Sequence, residues 1–219
     1  MKQIILGLIG QVAAGKGTIT DYLKKNYQAV SFRFSDPLRE TLDCYDLEIS
    51  RDNMQKISTL LRSNFGENIL AKAMAKRVKN SNQEMIIIDG VRRQTDLDHL
   101  RDLPGFNLIY ITADPKIRYQ RYVKRNENIG DDKLDFAQFE AKDQAEAESQ
   151  IPGVGQTAKY KIDNDGTIEQ LYDQVESILK KLRWIPLEAA CLPCQWHRQA
   201  IAINGNKLIF LYTLILLIN

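Results

Sequence analysis

The chain has 219 residues, 26% of them charged and 44% hydrophobic, enough for one α/β domain with a full core and a small insertion. Its 30 basic and 28 acidic residues leave a net charge of +2, which excludes the basic excess of general nucleic-acid or membrane-surface binding. Cys44, Cys191 and Cys194 do not make a disulfide framework, and the chain runs straight into an apolar segment with no leader pattern. The expectation is a protein of the reducing cytoplasm.

In chain order, residues 4–9 are apolar and read as a buried strand. They feed a loop of the form G-x-x-x-x-G-K-G-T, from Gly10 through Ala13, Ala14 and Gly15 to Lys16, Gly17 and Thr18. A helix with Ile19, Tyr22 and Leu23 on one face follows. Strand, glycine-rich loop and helix N-terminus make a phosphate cradle: successive N–H groups point inward, the helix dipole favours anions, and the lysine reaches the β and γ phosphates. A nucleoside triphosphate, ATP, is the expected ligand. Residues 29–34 read as a second strand, and Ser35-Asp36-Pro37 starts a helix. Residues 53–80 read as two helices separated near Gly66. Residues 84–89, nearly all Ile, read as a strand buried on both faces. The acid at its end, Asp89, would lie beyond the C-terminal edge of a parallel sheet, beside the loop, and hold Mg²⁺ together with Thr18.

Residues 107–112 form the fourth expected strand, and Asp114-Pro115 caps the helix after it. On that helix Arg118, Arg121 and Arg125 fall at i, i+3 and i+7 and share one face. Residues 126–155 are polar and read as a mobile insertion outside the core. Residues 160–164 form the fifth expected strand. Thr167 with Gln170 makes a capping box for a helix burying Ile168, Leu171, Tyr172, Val175, Ile178, Leu179 and Leu182. Residues 184–219 break the pattern. Cys191, Cys194 and His197 supply three metal ligands where a structural zinc site wants four, and the apolar end is shorter than the roughly 20 residues that span a bilayer. A docked or disordered extension is the expectation for this tail, against a membrane anchor.

Several of these segments resemble the P-loop nucleoside monophosphate kinases. The G-K-G-T variant resembles the adenylate kinase branch. Asp89-Gly90-Val91-Arg92-Arg93 resembles the D-G-x-x-R stretch in which an arginine grips acceptor phosphate, a role open here to Arg92 or Arg93. Phe34 to Arg39 resembles the acceptor segment of phage-type deoxynucleoside monophosphate kinases, where Asp36 is an acceptor group or only a helix cap. Arg62 falls where such kinases place an acceptor-binding helical hairpin. Arg121-x-x-x-Arg125 resembles the lid-entrance arginines, one against the adenine and one on phosphate. Ile162 to Thr167, with Asn164, resembles the adenine-side loop of dephospho-CoA kinases.

The resemblance implies a P-loop NTPase fold over residues 1–183: a five-stranded parallel sheet flanked by helices, a lid at about 126–155 and an acceptor-binding insertion at about 36–80. It implies ATP with Mg²⁺ and a small-molecule nucleotide acceptor. Lys16, Arg92, Arg121 and Arg125 would act on the transferring phosphoryl group. Asp36, Arg39, Arg62, Arg92 and Arg93 would face the acceptor. Transfer to a ribose hydroxyl, as on dephospho-CoA, needs a general base, for which Asp36 is the candidate. A regulatory ATP-binding module without an acceptor is the alternative from another class.

Overall fold

In the computed structural model, residues 3–125, 134–144 and 149–182 are described, with the chain outside the tail forming one compact unit. The expected tail features at Cys191, Cys194 and His197 lie outside the described residues.

Strands β1 (Ile4–Ile9), β2 (Val30–Arg33), β3 (Met85–Asp89), β4 (Phe106–Thr112) and β5 (Tyr160–Asp163) form one sheet in the order β2-β3-β1-β4-β5. Every pairing is parallel: Leu6 of the central strand lies opposite Ile87 on one side and Asn107 on the other. The β1 side chains are buried on both faces, which a parallel sheet covered by helices requires. The parallel order forces crossover connections. These carry α1 (Lys16–Tyr27), α2 (Asp36–Cys44), α3 (Arg51–Phe65), α4 (Ile69–Lys79), α5 (Pro115–Arg125), α6 (Phe136–Asp143) and α7 (Ile151–Gln156), and α8 (Ile168–Lys181) follows the last strand. The expected strands and helices are present with ends displaced by a residue or two.

Two apolar layers sandwich the sheet. Ile5, Ile9, Ile86 and Ile88 meet Leu70, Met74 and Val78 of α4 on one face. Leu6, Leu8 and Ile87 meet Ile19 and Leu23 of α1 and Leu171, Val175 and Ile178 of α8 on the other. The α1–α8 contact is reinforced by Glu176, which accepts from the hydroxyls of Tyr22 (2.6 Å) and Tyr27. Tyr172 stacks on Tyr22 with ring centroids 4.0 Å apart. The Thr167–Gln170 capping box forms as read from the sequence, closed by Thr167 N–H to Gln170 Oε1 at 2.9 Å.

Two expectations are corrected. The polar segment after α5 is not wholly outside the core: Phe139 of α6 is fully buried against Tyr119 and Tyr122, and Ile151 and Val154 of α7 join the β4 layer. Gly155 comes so close to the Tyr110 ring that a Cβ would collide with it. Residues 126–133 and 145–148 of the expected lid lie outside the described residues. Ile168, expected in the core, is 48% exposed, because α8 starts at the sheet's edge and its first turn overhangs a cleft.

Candidate functional site

The cleft opens at the C-terminal ends of the strands, with a volume of about 710 Å³, within the usual size of a small-molecule site. Its floor is the loop between β1 and α1. Gly15 stands at the helix N-cap with φ of 109°, a left-handed conformation that disfavours a side chain. Gly10 is packed so tightly that a Cβ would collide with the Ile111 carbonyl oxygen. Both glycines are therefore required by geometry, one by torsion and one by close approach.

Lys16 folds back over the loop, its Nζ donating to the carbonyls of Gly10 (2.6 Å) and Gln11 (2.9 Å). Those carbonyls hold the ammonium at the mouth of the cradle, over the positive end of α1. Gly17, exposed, and Thr18 open the first helical turn, and both line the cleft with Ala13 and Gly15. Asn164 follows β5. Its backbone N–H donates to Thr112 (2.9 Å), and its buried amide Nδ2 donates to the Ala14 carbonyl (2.8 Å). It fixes the loop from below as well as lining the cleft. Ala14 is fully buried and contributes shape to the loop, not surface.

Asp89 ends β3 at the same cleft, with Oδ1 buried and lacking a hydrogen-bond partner among the described residues. From α5, Arg121 and Arg125 line the same cleft, and Nη1 of Arg121 is likewise buried without a hydrogen-bond partner among the described residues. An orphaned carboxylate oxygen and an orphaned guanidinium nitrogen in one cleft are costly unless a polar ligand meets them. The donor set of the Thr18 hydroxyl and the Asp89 carboxylate consists of hard oxygens, which fits Mg²⁺. Among the described residues there is no cluster of three or more His, Cys, Asp and Glu suited to hold a metal by protein ligands alone. Cation binding here would therefore be completed by phosphate and water.

Sequence reading missed Arg33 and set Arg118 on one helical face with Arg121 and Arg125 without giving it a role of its own. Arg33, at the end of β2, lines the cleft. Arg118 is buried, donating from Nε to the Ala113 carbonyl (3.2 Å) and from Nη1 to the Val12 carbonyl (3.3 Å), with its guanidinium over the Phe139 ring. It ties the base of α5 to the phosphate-loop backbone and to α6.

None of the expected acceptor residues, Asp36, Arg39, Arg62, Arg92 and Arg93, lines the cleft. Asp36 is held at its carboxylate by the Arg33 backbone N–H (2.7 Å), by Arg33 Nε (3.1 Å) and by Arg77 Nη1 (3.8 Å). Arg39 is half-buried on α2 with Nε unpartnered among the described residues. Arg62, expected to touch the acceptor, is instead buried and engaged, with Nη2 donating to Asp96 (2.8 Å) and Nη1 to the Glu67 carbonyl. A guanidinium so paired is a tie between segments. Arg92 is exposed beyond β3, and Arg93, half-buried, lies with Nη1 3.5 Å from the Glu67 carboxylate.

Residues 9–137 match the AAA_17 family, described as an AAA domain. The chain belongs to that family. It is 28% identical over 183 residues to a UPF0200 protein of Methanothermobacter thermautotrophicus, a match covering 83% of this chain and 92% of the relative. Among solved structures it resembles TT1252 from Thermus thermophilus, with TM-score 0.52 and 14% identity over 83% of this chain and 99% of that one. It also resembles a gluconokinase from Sinorhizobium meliloti, with TM-score 0.50 and 12% identity over 89% of this chain and 97% of that one. At these identities the structural likeness speaks to fold: this AAA_17 chain has a kinase-like P-loop fold, a five-stranded parallel sheet flanked by helices. Among the described residues no helix is long and apolar enough to cross a membrane.

Proposed function

We propose that the protein is an ATP-dependent phosphotransferase whose acceptor is a nucleoside or deoxynucleoside monophosphate. One observation carries this reading: a single cleft gathers the loop with Lys16 and Thr18, the carboxylate of Asp89, and three arginines from two elements, Arg33 of β2 and Arg121 and Arg125 of α5. That many cations facing one phosphate cradle suit two phosphate-bearing ligands end to end. One triphosphate bound for sensing needs fewer of them.

The loop amides and Lys16 would hold the β and γ phosphates. Thr18 and Asp89 would hold Mg²⁺, which when bound neutralises charge on the transferring group. Arg121 would lie against the base or a phosphate, and Arg125 would reach phosphate. The bond from the γ phosphorus to the bridging oxygen breaks as one forms to the acceptor oxygen, and ADP leaves. With positions fixed and water excluded, catalysis is then a matter of alignment and charge.

The state of Asp36 supports a phosphate acceptor over a hydroxyl. A hydroxyl must lose a proton to a base within hydrogen-bond reach, whereas a phosphate oxygen is already anionic. Asp36 is occupied by Arg33 and Arg77 and holds the start of α2 to the end of β2. This reading places the protein in nucleotide metabolism. The test is ADP formation from Mg-ATP against the common NMPs and dNMPs plus dephospho-CoA, with Lys16→Ala as control. Lys16-dependent turnover with a monophosphate supports the reading. Turnover with dephospho-CoA alone reassigns the acceptor, and a flat panel with ATP still bound leaves a regulatory module.

A further inference from the structure

Just beyond the Asp89 strand end the chain folds around a buried carboxylate. Asp96 sits in a short 3₁₀ turn, Gln94–Leu97, and is 3% exposed. Its Oδ2 accepts from the backbone N–H groups of both Arg92 and Arg93, each at 3.0 Å. Its Oδ1 accepts from Arg62 Nη2 on α3 at 2.8 Å. The Arg62 guanidinium also donates to the Glu67 carbonyl, and the exposed Glu67 carboxylate lies 3.7 Å from Arg62 and 3.5 Å from Arg93. One carboxylate therefore fixes the backbone carrying two arginines. The same carboxylate anchors that backbone to the end of the α3 hairpin.

A buried charge with this many charge-assisted bonds is expensive to desolvate and does little for stability that apolar packing could not do. Such groups are most informative where they fix geometry. Here the geometry fixed is the turn from Asp89 through Gly90, whose φ is 89°, to Arg92 and Arg93. We propose that Asp96, with Arg62 and Glu67, is a positioning unit that sets the α3 hairpin and the Arg92–Arg93 turn as one body; the turn continues from the cleft-lining Asp89 without itself lining the cleft, so an acceptor phosphate reaching past Asp89 meets its arginines. The assignment rests on the phosphotransferase reading. It changes the role of Arg62 from a contact to a brace, and it adds a residue that no sequence motif marks.

Two variants separate positioning from folding. Asp96→Asn keeps the shape but puts an amide N–H₂ among donors. Glu67→Gln changes only an exposed carboxylate and leaves the carbonyl bond to Arg62 in place. With the best monophosphate of the ADP-formation panel, Asp96→Asn should raise the acceptor KM at least about tenfold, the scale of one lost charge-assisted bond. Glu67→Gln should raise it about two- to fivefold, and the ATP KM should stay within about twofold in both. Equal rises in both KM values, or a folded variant with neither changed, would overturn the assignment. If the wild type turns over no acceptor, the reaction reading fails on its own. The positioning unit is then judged by NMR of the Arg92 and Arg93 Nε signals during titration with AMP. Shifts in the wild type that are weakened in Glu67→Gln uphold it, and an absence of shifts in the wild type overturns it.

Discussion

Asn164 gives the most direct access to the architecture of the phosphate loop. Its amide donates to the Ala14 carbonyl at 2.8 Å in a buried setting, and the Gly15 Cα packs so close above it that a Cβ there would strike Nδ2. Asn164→Ala leaves the backbone bond to Thr112 intact, removes the amide, and strands a carbonyl inside the loop. Leaving one buried acceptor unpaired costs about 1–3 kcal/mol. At about 2–4 °C per kcal/mol for a domain of this size, the melting temperature should fall by roughly 2–12 °C. The loop, no longer braced from below, should also bind ATP about tenfold more weakly. Asn164→Asp should be worse, because it sets a carboxylate oxygen against the same carbonyl. Calorimetric melting with and without Mg-ATP measures both effects. An Asn164→Ala protein that melts within about 1 °C of wild type and binds ATP normally would refute the bracing role.

Gly10→Ala should abolish ATP binding while the sheet still forms, since its Cβ must displace the loop from the Ile111 carbonyl; normal binding titrations would contradict the packing. Phe139→Ala should cost about 3–5 kcal/mol in denaturant unfolding, because the ring is fully buried against two tyrosines and Arg118; a cost near zero would mean that α6 is not part of the core. Burial, and then the bond to Glu176, raises the Tyr22 phenol from its ordinary 10.0 to about 12 and pushes Tyr27 higher still. The folded state thus holds these protons more tightly than the unfolded chain. Their contribution to stability is complete below pH 10 and is lost as pH rises through about 12. The absorbance titration lost on replacing Tyr22 and Tyr27 by Phe should lie well above pH 10, and a lost component centred at pH 10 would refute the cluster.

The sheet and the phosphate loop were legible because their signals are local. An Ile run marks a strand buried on both faces, and the glycine–lysine spacing marks an anion cradle. Asp89, Arg121, Arg125 and Asn164 all line the cleft, and their positions at strand ends and on a helix face follow from periodicity. What escaped depends on distance in sequence. Arg62 finds its partner 34 positions away, so nothing near it distinguishes a brace from a contact. Asp96 looks like one acid among several in a polar turn, and only the fold shows it accepting from two backbone amides. Phe139, Ile151 and Val154 are spaced too widely in a charged stretch to register as a stripe, yet each closes part of the core. Ile168 shows the opposite failure: it keeps the helical apolar period, but the helix begins beyond the sheet.

The central claim is transfer of a phosphoryl group to an acceptor phosphate, and mass spectrometry of the acceptor tests it most directly. After incubation of the full chain with Mg-ATP and the NMP and dNMP panel, one monophosphate should gain a phosphoryl group in step with ADP formation. Lys16→Ala should show neither product. ADP accumulating with free phosphate while every monophosphate keeps its mass would contradict the account and leave an ATPase without an acceptor.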